Sequence, residues 1–397
     1  MKNYDSIVIG GGVIGTSVAY YLSKKGLKVA LVEKGDIASG TSSRCDGNVS
    51  YAGKHPGFDT KMTYTSQLLF KELFEEIPYN FDYVQPGGIY IIESEEELRV
   101  AKEFVKKQSE DGYPMRMMDK KEIHEDEPYL AEDIIGGVEI DDSLAINPMA
   151  FTFGLALEAK KNGVVVFDYT SVIGIRLNKK GLVEAVETNN SVLKAKNVVN
   201  CAGVWAPFIG EMVNVDIPII PRQGQLLVAL KIFPPVGKRK IMEFGYMMAK
   251  FGDKNYKRNV PPEIEKLGIA FVLEPTLSNN FIIGSSRAFV GFDTQVSIEV
   301  MRGLAKRAIR FFPILKDIYV IRAYAGLRPY VEDNLPIISK VDEVPGFYIA
   351  AGHEGDGIGL APLTGKMISQ MITGEKTILP IDDLSINRFK KKKNQYQ

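Results

Sequence analysis

Residues 5–33 decide the fold: Asp5-Ser6-Ile7-Val8-Ile9, then Gly10-Gly11-Gly12-Val13-Ile14-Gly15, and, after Gly26, Lys28-Val29-Ala30-Leu31-Val32-Glu33. The run 5–9 reads as a buried strand. Residues 13–25 read as a helix with Ile14, Val18, Tyr21 and Leu22 on one face, and Gly26 is placed to end it. Residues 28–32 read as a second strand, completing a β-α-β unit of the size a parallel sheet needs. Gly10, Gly12 and Gly15 sit between strand and helix. There they permit a tight turn, close backbone approach to a pyrophosphate, and close helix packing. The free N–H groups and positive dipole end of the helix face the phosphates. Glu33 ends the second strand, where a carboxylate accepts hydrogen bonds from ribose hydroxyls. Strand, helix, second strand and acid together point to a bound dinucleotide. Val13, Ile14 and Lys34 complete the contact set of this unit.

Outward from this unit the texture changes. From about residue 80, short apolar runs such as Gly88-Ile89-Tyr90-Ile91-Ile92 alternate with charged helical runs such as 94–110. Asn147-Pro148 is a cap and a first-turn proline, opening a helix over 149–161 that stops at Gly163. Strands are expected at 164–168, as a pair around 171–187, and at 198–200. Residues 216–324 look mixed, with strands near 225–230, 269–274 and 281–284 and a helix over about 297–311. Glycine-rich strand and helix return over 325–374. The Lys390–Lys393 run reads as a solvated end. The nucleotide-binding unit is thus expected from 1–78, 145–215 and 325–397. A second domain, 79–144 and 216–324, is inserted between its pieces.

Composition narrows the function. The 397 residues suit two domains. Lys+Arg and Asp+Glu are both 49, so there is no basic excess of the kind a nucleic-acid binder carries. The same balance argues against a tRNA-modifying protein. The two cysteines, Cys45 and Cys201, give neither a disulfide framework nor metal-ligand spacing, so no metal is expected. No run of about 18 apolar residues marks a membrane span. A soluble cytoplasmic protein without an integral membrane segment is the expectation.

The loop Gly40-Thr41-Ser42-Ser43-Arg44-Cys45-Asp46-Gly47-Asn48 follows Glu33 closely. Its hydroxyls and N–H groups can extend along a pyrophosphate toward a ring system, whereas an NAD enzyme more often has an ordinary helix here. With this loop, four further blocks complete a set: Asn200-Cys201-Ala202-Gly203-Val204-Trp205, Pro221-Arg222-Gln223-Gly224-Gln225, Ala325-Gly326-Leu327-Arg328-Pro329 and Gly352-His353-Glu354-Gly355-Asp356-Gly357-Ile358. In that order, over nearly the whole chain, the blocks resemble the D-amino-acid oxidase and sarcosine oxidase group of FAD oxidoreductases. Cys45–Asn48 and Gly284-Ser285-Ser286-Arg287 look most like the flavin subunits of D-hydroxyproline, proline or opine dehydrogenases. Glycine oxidase and D-amino-acid dehydrogenase are close behind.

The resemblance implies an α/β protein: a Rossmann-type FAD-binding domain with an inserted α+β substrate domain on a mixed, largely antiparallel sheet. It implies that Gly10, Gly12, Gly15 and Glu33 hold the ADP part and that Thr41 and Ser42 lie along the pyrophosphate. Asp46, Gly47 and Asn48 would meet the flavin. Val172 would meet adenine through its backbone. Cys201, Ala202, Gly203 and Trp205 would pack beneath the cofactor, and Gly352, His353, Gly355, Asp356, Gly357 and Ile358 would line the flavin's pyrimidine edge. The expected helix from about 358 to 373, with Gly374 as its stop, would turn its positive end on charge gathering there.

Arg328 is the candidate for a substrate carboxylate, because a guanidinium fork matches a carboxylate with two parallel hydrogen bonds. The competing role is an ion pair with Glu332 or Asp333. Arg287 is the second candidate for substrate and Arg222 a weaker one. Among His55, His124 and His353, only His353 falls in a motif, and with Arg328 it is the candidate for the reacting centre. Relatives that tether flavin do so through a cysteine in the segment matching 320–345, and none stands there, so FAD is expected to be bound without a covalent link. The stretch 232–268, with Lys238, Arg239, Lys240, Lys250, Lys254, Lys257 and Arg258, reads as a lid, a docking surface or a solvated loop. The substrate expected is a small amino acid or amine. A homo-oligomer or electron-accepting partner subunits remain open, the latter if the chain is the flavin-bearing subunit of a larger dehydrogenase.

Overall fold

A computed structural model describes residues 3–141, 143–230, 236–251, 256–278 and 280–393. The opening unit forms as read: strand Asn3–Ile9, helix Val13–Lys24 and strand Val29–Val32. Gly26 (φ +76°) ends the helix, donating to Ser23 O at 2.9 Å while Leu27 N donates to Leu22 O at 3.3 Å. This pair of bonds satisfies two terminal carbonyls, and the left-handed φ favours glycine.

The first sheet runs in the order Ile337–Lys340, Phe347–Ala351, Val192–Asn200, Asn3–Ile9, Val29–Val32, Val165–Phe167. All neighbours but the first pair are parallel. Side chains alternate across it. Val8, Val29, Leu31 and Val199 face a core shared with helices Val13–Lys24, Phe58–Glu76, Pro148–Lys161 and Gly357–Thr373. Ile7, Ile9, Ala30, Val32 and Val198 face the other way, toward Ile175, Val183 and Val186 of the antiparallel pair Val172–Leu177 and Val183–Thr188. A sheet covered on both faces explains why its strands read as unbroken apolar runs.

The second sheet is mixed and largely antiparallel, in the order Val320–Tyr330, Ile220–Leu230, Asn280–Gly284, Val272–Pro275, Lys240–Glu243, Gly88–Ile92, Gly136–Ile140, Arg116–Asp119. The pairing of Lys240–Glu243 with Gly88–Ile92 is parallel. Helix Ile298–Phe311, capped by Ser297, covers one face. Helix Glu95–Glu110, capped by Ser94, covers the other. Strands Ile220–Leu230 and Val320–Tyr330 pair along most of their length, with Arg222 opposite Arg328 and Gly224 opposite Gly326. Position 325, the expected return point of the nucleotide unit, falls inside the second of these strands.

The 232–268 stretch is not a surface loop throughout. Lys240–Glu243 is an interior strand, and Gly245–Phe251 and Pro262–Lys266 are helices. Lys240 is 2% exposed. Arg239 pairs with Glu139 and Arg258 with the buried Glu243. Glu243 also binds Arg307, which reaches Glu93. Residues 231–235 and 252–255, with Lys254, lie outside the described residues, as does the side chain of Lys250.

Candidate functional site

The two sheets meet at a cavity of about 410 Å³ that begins at the glycine turn. Gly10 has φ +111°, and a Cβ there would stand 2.5 Å from Cys201 O. A Cβ on Gly15 would overlap Gly10 O, so the helix can approach the strand only without one. Gly12 lines the cavity, and the Val13 N–H donates to Ser42 Oγ at 3.0 Å. Ser42 thus stands over the helix N-terminus, where free N–H groups meet an anion. Both Glu33 oxygens accept backbone donors, Oε2 from Gly11 N at 2.6 Å and Oε1 from Gly35 N at 2.8 Å. Its carboxylate is held at the end of the strand and still faces the cavity.

Of the expected contacts, Gly10, Gly12, Val13, Ile14, Glu33, Lys34, Thr41, Ser42, Asp46, Val172, Cys201, Ala202, Gly203, Trp205, His353, Gly355, Gly357 and Ile358 line this one cavity, together with Arg328. Gly15, Gly47, Asn48, Gly352, Asp356 and Arg287 do not. Each is placed differently for a local reason. Gly15 packs on Gly10. Gly47 passes so close to Ile146 O that a Cβ would collide with it. Asn48 pairs with Ala145 in a two-stranded ladder. Gly352 turns at φ +80° against Val331. Asp356 precedes helix Gly357–Thr373 and pairs with the buried Lys54.

The loop 40–48 is fastened at several points. Thr41 Oγ1 donates to Leu327 O at 2.7 Å, so its hydroxyl hydrogen goes to the second sheet. Tyr324 Oη donates to Cys45 O at 3.2 Å. Lys34 Nζ lies 3.5 Å from the Trp205 ring centroid, and burial pushes its pKa down. Burial raises the Cys45 thiol, so it is not a thiolate.

Arg328 forms the far end. Nη1 donates to Ser286 O at 3.1 Å and Nη2 to Ser285 Oγ at 3.0 Å. Gly224, on the neighbouring strand, leaves the space the guanidinium fills: a Cβ there would clash with it. The acid that answers Arg328 is Glu354, with Arg328 Nε 3.8 Å from Glu354 Oε1. Neither Glu332 nor Asp333 does so; Asp333 pairs with Arg388. Burial pushes the Arg328 pKa down and Glu354 opposes it, and the guanidinium keeps its charge. Arg222 is committed to Glu354 and stacks on Tyr330, 4.5 Å away. Arg287 stacks on Tyr246 at 4.1 Å, and its Nε is buried without a hydrogen-bond partner.

His353 is 3% exposed, with Nε2 2.9 Å from Thr364 Oγ1. Burial pushes its pKa down to about 3, so the ring is neutral at neutral pH. This is a packed position, and it does not suit an acid that must give a proton.

Sequence reading missed a charged cluster beneath the loop. Lys240 Nζ lies 2.6 Å from Glu274 Oε2 and 3.5 Å from Asp46 Oδ2. Glu274 Oε1 accepts the Gly47 N–H at 2.9 Å. Two partners in this cluster lie 34 and 194 residues from Lys240, so no local pattern announces it. The parallel run Gly88–Ile92, apolar and next to Lys240–Glu243, was the available hint that this strand lies inside a sheet.

The glycine cradle, the helix N-terminus with Ser42, and the Glu33 carboxylate fit the ADP part of a dinucleotide. The cavity then continues past Cys45 and Asp46 to Arg328 and Gly355, which leaves room for a ring system. The chain belongs to the FAD dependent oxidoreductase family, whose model matches residues 5–371. It is 27% identical to glycine oxidase from Geobacillus kaustophilus over 396 residues, 97% of each chain. It is 25% identical to hydrogen cyanide synthase subunit HcnC from Pseudomonas aeruginosa, over 98% of this chain and 97% of that one. L-Proline dehydrogenase from P. horikoshii superposes with a TM-score of 0.87 at 26% identity, over 98% of this chain and 99% of that one. Glycine oxidase from G. kaustophilus gives 0.85 at 26% identity, over 98% and 99%. The cofactor is therefore FAD, and the fold is the α/β arrangement expected.

Proposed function

We propose that this protein oxidises the C–N bond of a small amino acid or carboxylate-bearing secondary amine, of the glycine, sarcosine, D-amino-acid or proline kind. The observation that carries this reading is Arg328, a largely buried guanidinium that lines the cavity from the sheet opposite the glycine turn. FAD held in this cavity would supply a two-electron acceptor for the hydride of the α-carbon, the chemistry that turns an amine with a free lone pair into an imine.

The protein's part is position and electrostatics. Gly10, Gly12, Val13 and Ser42 hold the pyrophosphate and Glu33 the ribose. Gly355, Gly357 and Ile358 open helix Gly357–Thr373 on the cavity wall, so its positive end meets charge there. Arg328 orients the substrate through its carboxylate. The reacting amine needs its lone pair free, so a substrate that binds as an ammonium first gives its proton to solvent or to a carboxylate in the cavity. The arrangement of the nucleotide unit over 1–78, 145–215 and 325–397, with the substrate domain over 79–144 and 216–324, is supported by the separate sheets drawn mainly from those stretches. Among the described residues no helix is long and apolar enough to cross a membrane. Two unbridged cysteines support a reducing, cytoplasmic setting.

The test is anaerobic reduction of the yellow protein with glycine, sarcosine, D-amino acids, and D- and L-proline, followed by air. Bleaching by one of them is expected. A flavin that none of them bleaches would overturn the reading. Readmitted air then separates an oxidase from a dehydrogenase. A second reading, a flavin-bearing subunit that hands electrons to a partner, is favoured by an apolar rim: Phe289, Val290 and Phe292 are each at least 45% exposed, and Phe292 stacks on cavity-lining Trp205. Slow reoxidation by air, with rapid reoxidation by an artificial dye, would support it.

A further inference from the structure

We propose that Asp46 receives the amine of the substrate, as the partner of Arg328 across the same cavity. The proposal rests on the amino-acid reading above and names what reads the second end of that substrate.

The argument starts from which charges are already satisfied. Glu274 has both oxygens engaged, one by the Gly47 N–H at 2.9 Å and one by Lys240 Nζ at 2.6 Å. Lys240 is buried at 2% exposure, and its close partner is Glu274. These two neutralise each other inside the protein. Asp46 is different. Its side chain is 33% exposed and lines the cavity, Oδ2 is only at 3.5 Å from Lys240 Nζ, and Oδ1 has no hydrogen-bond partner among the described residues. The three groups sum to one negative charge, and the part of it that faces the cavity belongs to Asp46.

A carboxylate with an open oxygen on a largely apolar cavity wall favours a cationic donor. Arg328 lines the same cavity and favours an anion. The ligand that satisfies both is a zwitterion, with a carboxylate at one end and an ammonium or secondary ammonium at the other. Asp46 is also well fixed for the task. The next residue, Gly47, is held by Glu274 and pressed against Ile146 O, and the residue before it, Cys45, is held by Tyr324. A recognition group on so constrained a loop loses little freedom on binding.

The experiment uses the FAD-loaded protein and reads ligand binding by perturbation of flavin absorbance, which does not depend on turnover. Glycine, glycolate and acetate are titrated into wild type, Asp46→Asn and Arg328→Lys. Wild type should bind glycine at least roughly tenfold more tightly than glycolate or acetate. Asp46→Asn should lose roughly 10- to 100-fold for glycine and leave acetate unchanged or tighter. Arg328→Lys should weaken all three. Equal losses for glycine and acetate in Asp46→Asn, or no loss for glycine, would sink the proposal. If that variant does not keep FAD, wild type alone decides: glycolate binding as tightly as glycine removes the amine site. The two readings fail separately. A wild type that no panel amine reduces counts against the proposed reaction, while a reducible wild type indifferent to the amine counts against Asp46 alone.

Discussion

Glu354 and Arg222 form an ion pair at the cavity wall, Arg222 Nε donating to Glu354 Oε1 at 3.1 Å, and the same oxygen lies 3.8 Å from Arg328 Nε. One carboxylate therefore serves two arginines that stand opposite each other on paired strands. Arg222 is spent on this pair and on Tyr330. Arg328 meets Glu354 only at the longer distance and keeps its fork directed at Ser285, Ser286 and the cavity.

Burial alone would raise the Glu354 pKa, but Arg328 and Arg222 outweigh it and bring it down to about 2. A depressed carboxylate adds stability above its unfolded value of 4.5 and loses it as pH falls toward about 2. Glu354→Gln should flatten stability in that acid window. At pH 7 it should cost about 3 kcal/mol, the low end for breaking a buried pair, because the pair is 15% exposed. Denaturant melts at pH 7, 4 and 3 check this. A variant with wild-type slope below pH 4.5 would remove Glu354 from the arginine pair.

His353 acts on a neighbouring window. Its folded pKa of about 3 lies below the ordinary 6.5, so the unfolded chain takes up a proton first as pH falls. Stability should drop between about 6.5 and 3, by at most about 1.4 kcal/mol per pH unit. His353→Gln keeps a donor for Thr364 and should lose this slope. Melts at pH 7.5, 6.5 and 5.5 decide it, and an unchanged slope would place the imidazole in water.

Glu33 has a simpler consequence. Replacing it with Ala removes the acceptor of the Gly11 and Gly35 N–H groups together with the proposed ribose contact. FAD affinity should fall by about 1–3 kcal/mol, the scale of an unpaired polar group. Fluorescence titration of the apoprotein measures it. Unchanged affinity would take Glu33 out of the site.

FAD should leave on acid precipitation, all colour passing to the supernatant. The segment 320–345 offers no cysteine, and Cys45 is held as a thiol by burial. Colour that stays in the pellet would show a covalent tether, and Cys45 would be the first residue to replace.

What could be read from the sequence was what depends on near neighbours. The turn from Gly10 to Gly15, the Asn147 cap and the Gly26 stop are each set within a few residues. Arg328 was legible because its motif carries it. The Lys240 cluster was not, since a lysine is buried only if its acids arrive from distant strands, and the charged stretch around it looked like surface. The orientation of Arg287 toward Tyr246 depends on helix Gly245–Phe251, which lies in a charged stretch with no clear helical stripe of its own. Glu354 was quoted in its motif, but its partners come from two strands more than a hundred residues and about 26 residues away, and only the sheet brings them together.

The functional reading turns on Arg328. Arg328→Lys keeps a charge but loses the fork and the bonds to Ser285 and Ser286, so an amino acid should bind more weakly. Arg328→Ala should be worse, on the order of 2–5 kcal/mol, because the substrate carboxylate then faces Glu354 with no charge between them. FAD should stay bound in both variants, since the residues proposed to hold it, Gly10, Gly12, Ser42 and Glu33, line the cavity away from Arg328. The measurement is the concentration dependence of anaerobic flavin reduction by the best substrate of the panel, in wild type and both variants. Glu354 also loses a counter-charge in Arg328→Ala, so a thermal melt must show that the variant is folded before its kinetics are read. A folded Arg328→Ala that is reduced with wild-type concentration dependence would move the carboxylate anchor elsewhere. Arg287 would then be the next position to replace, because Arg222 is already committed to Glu354.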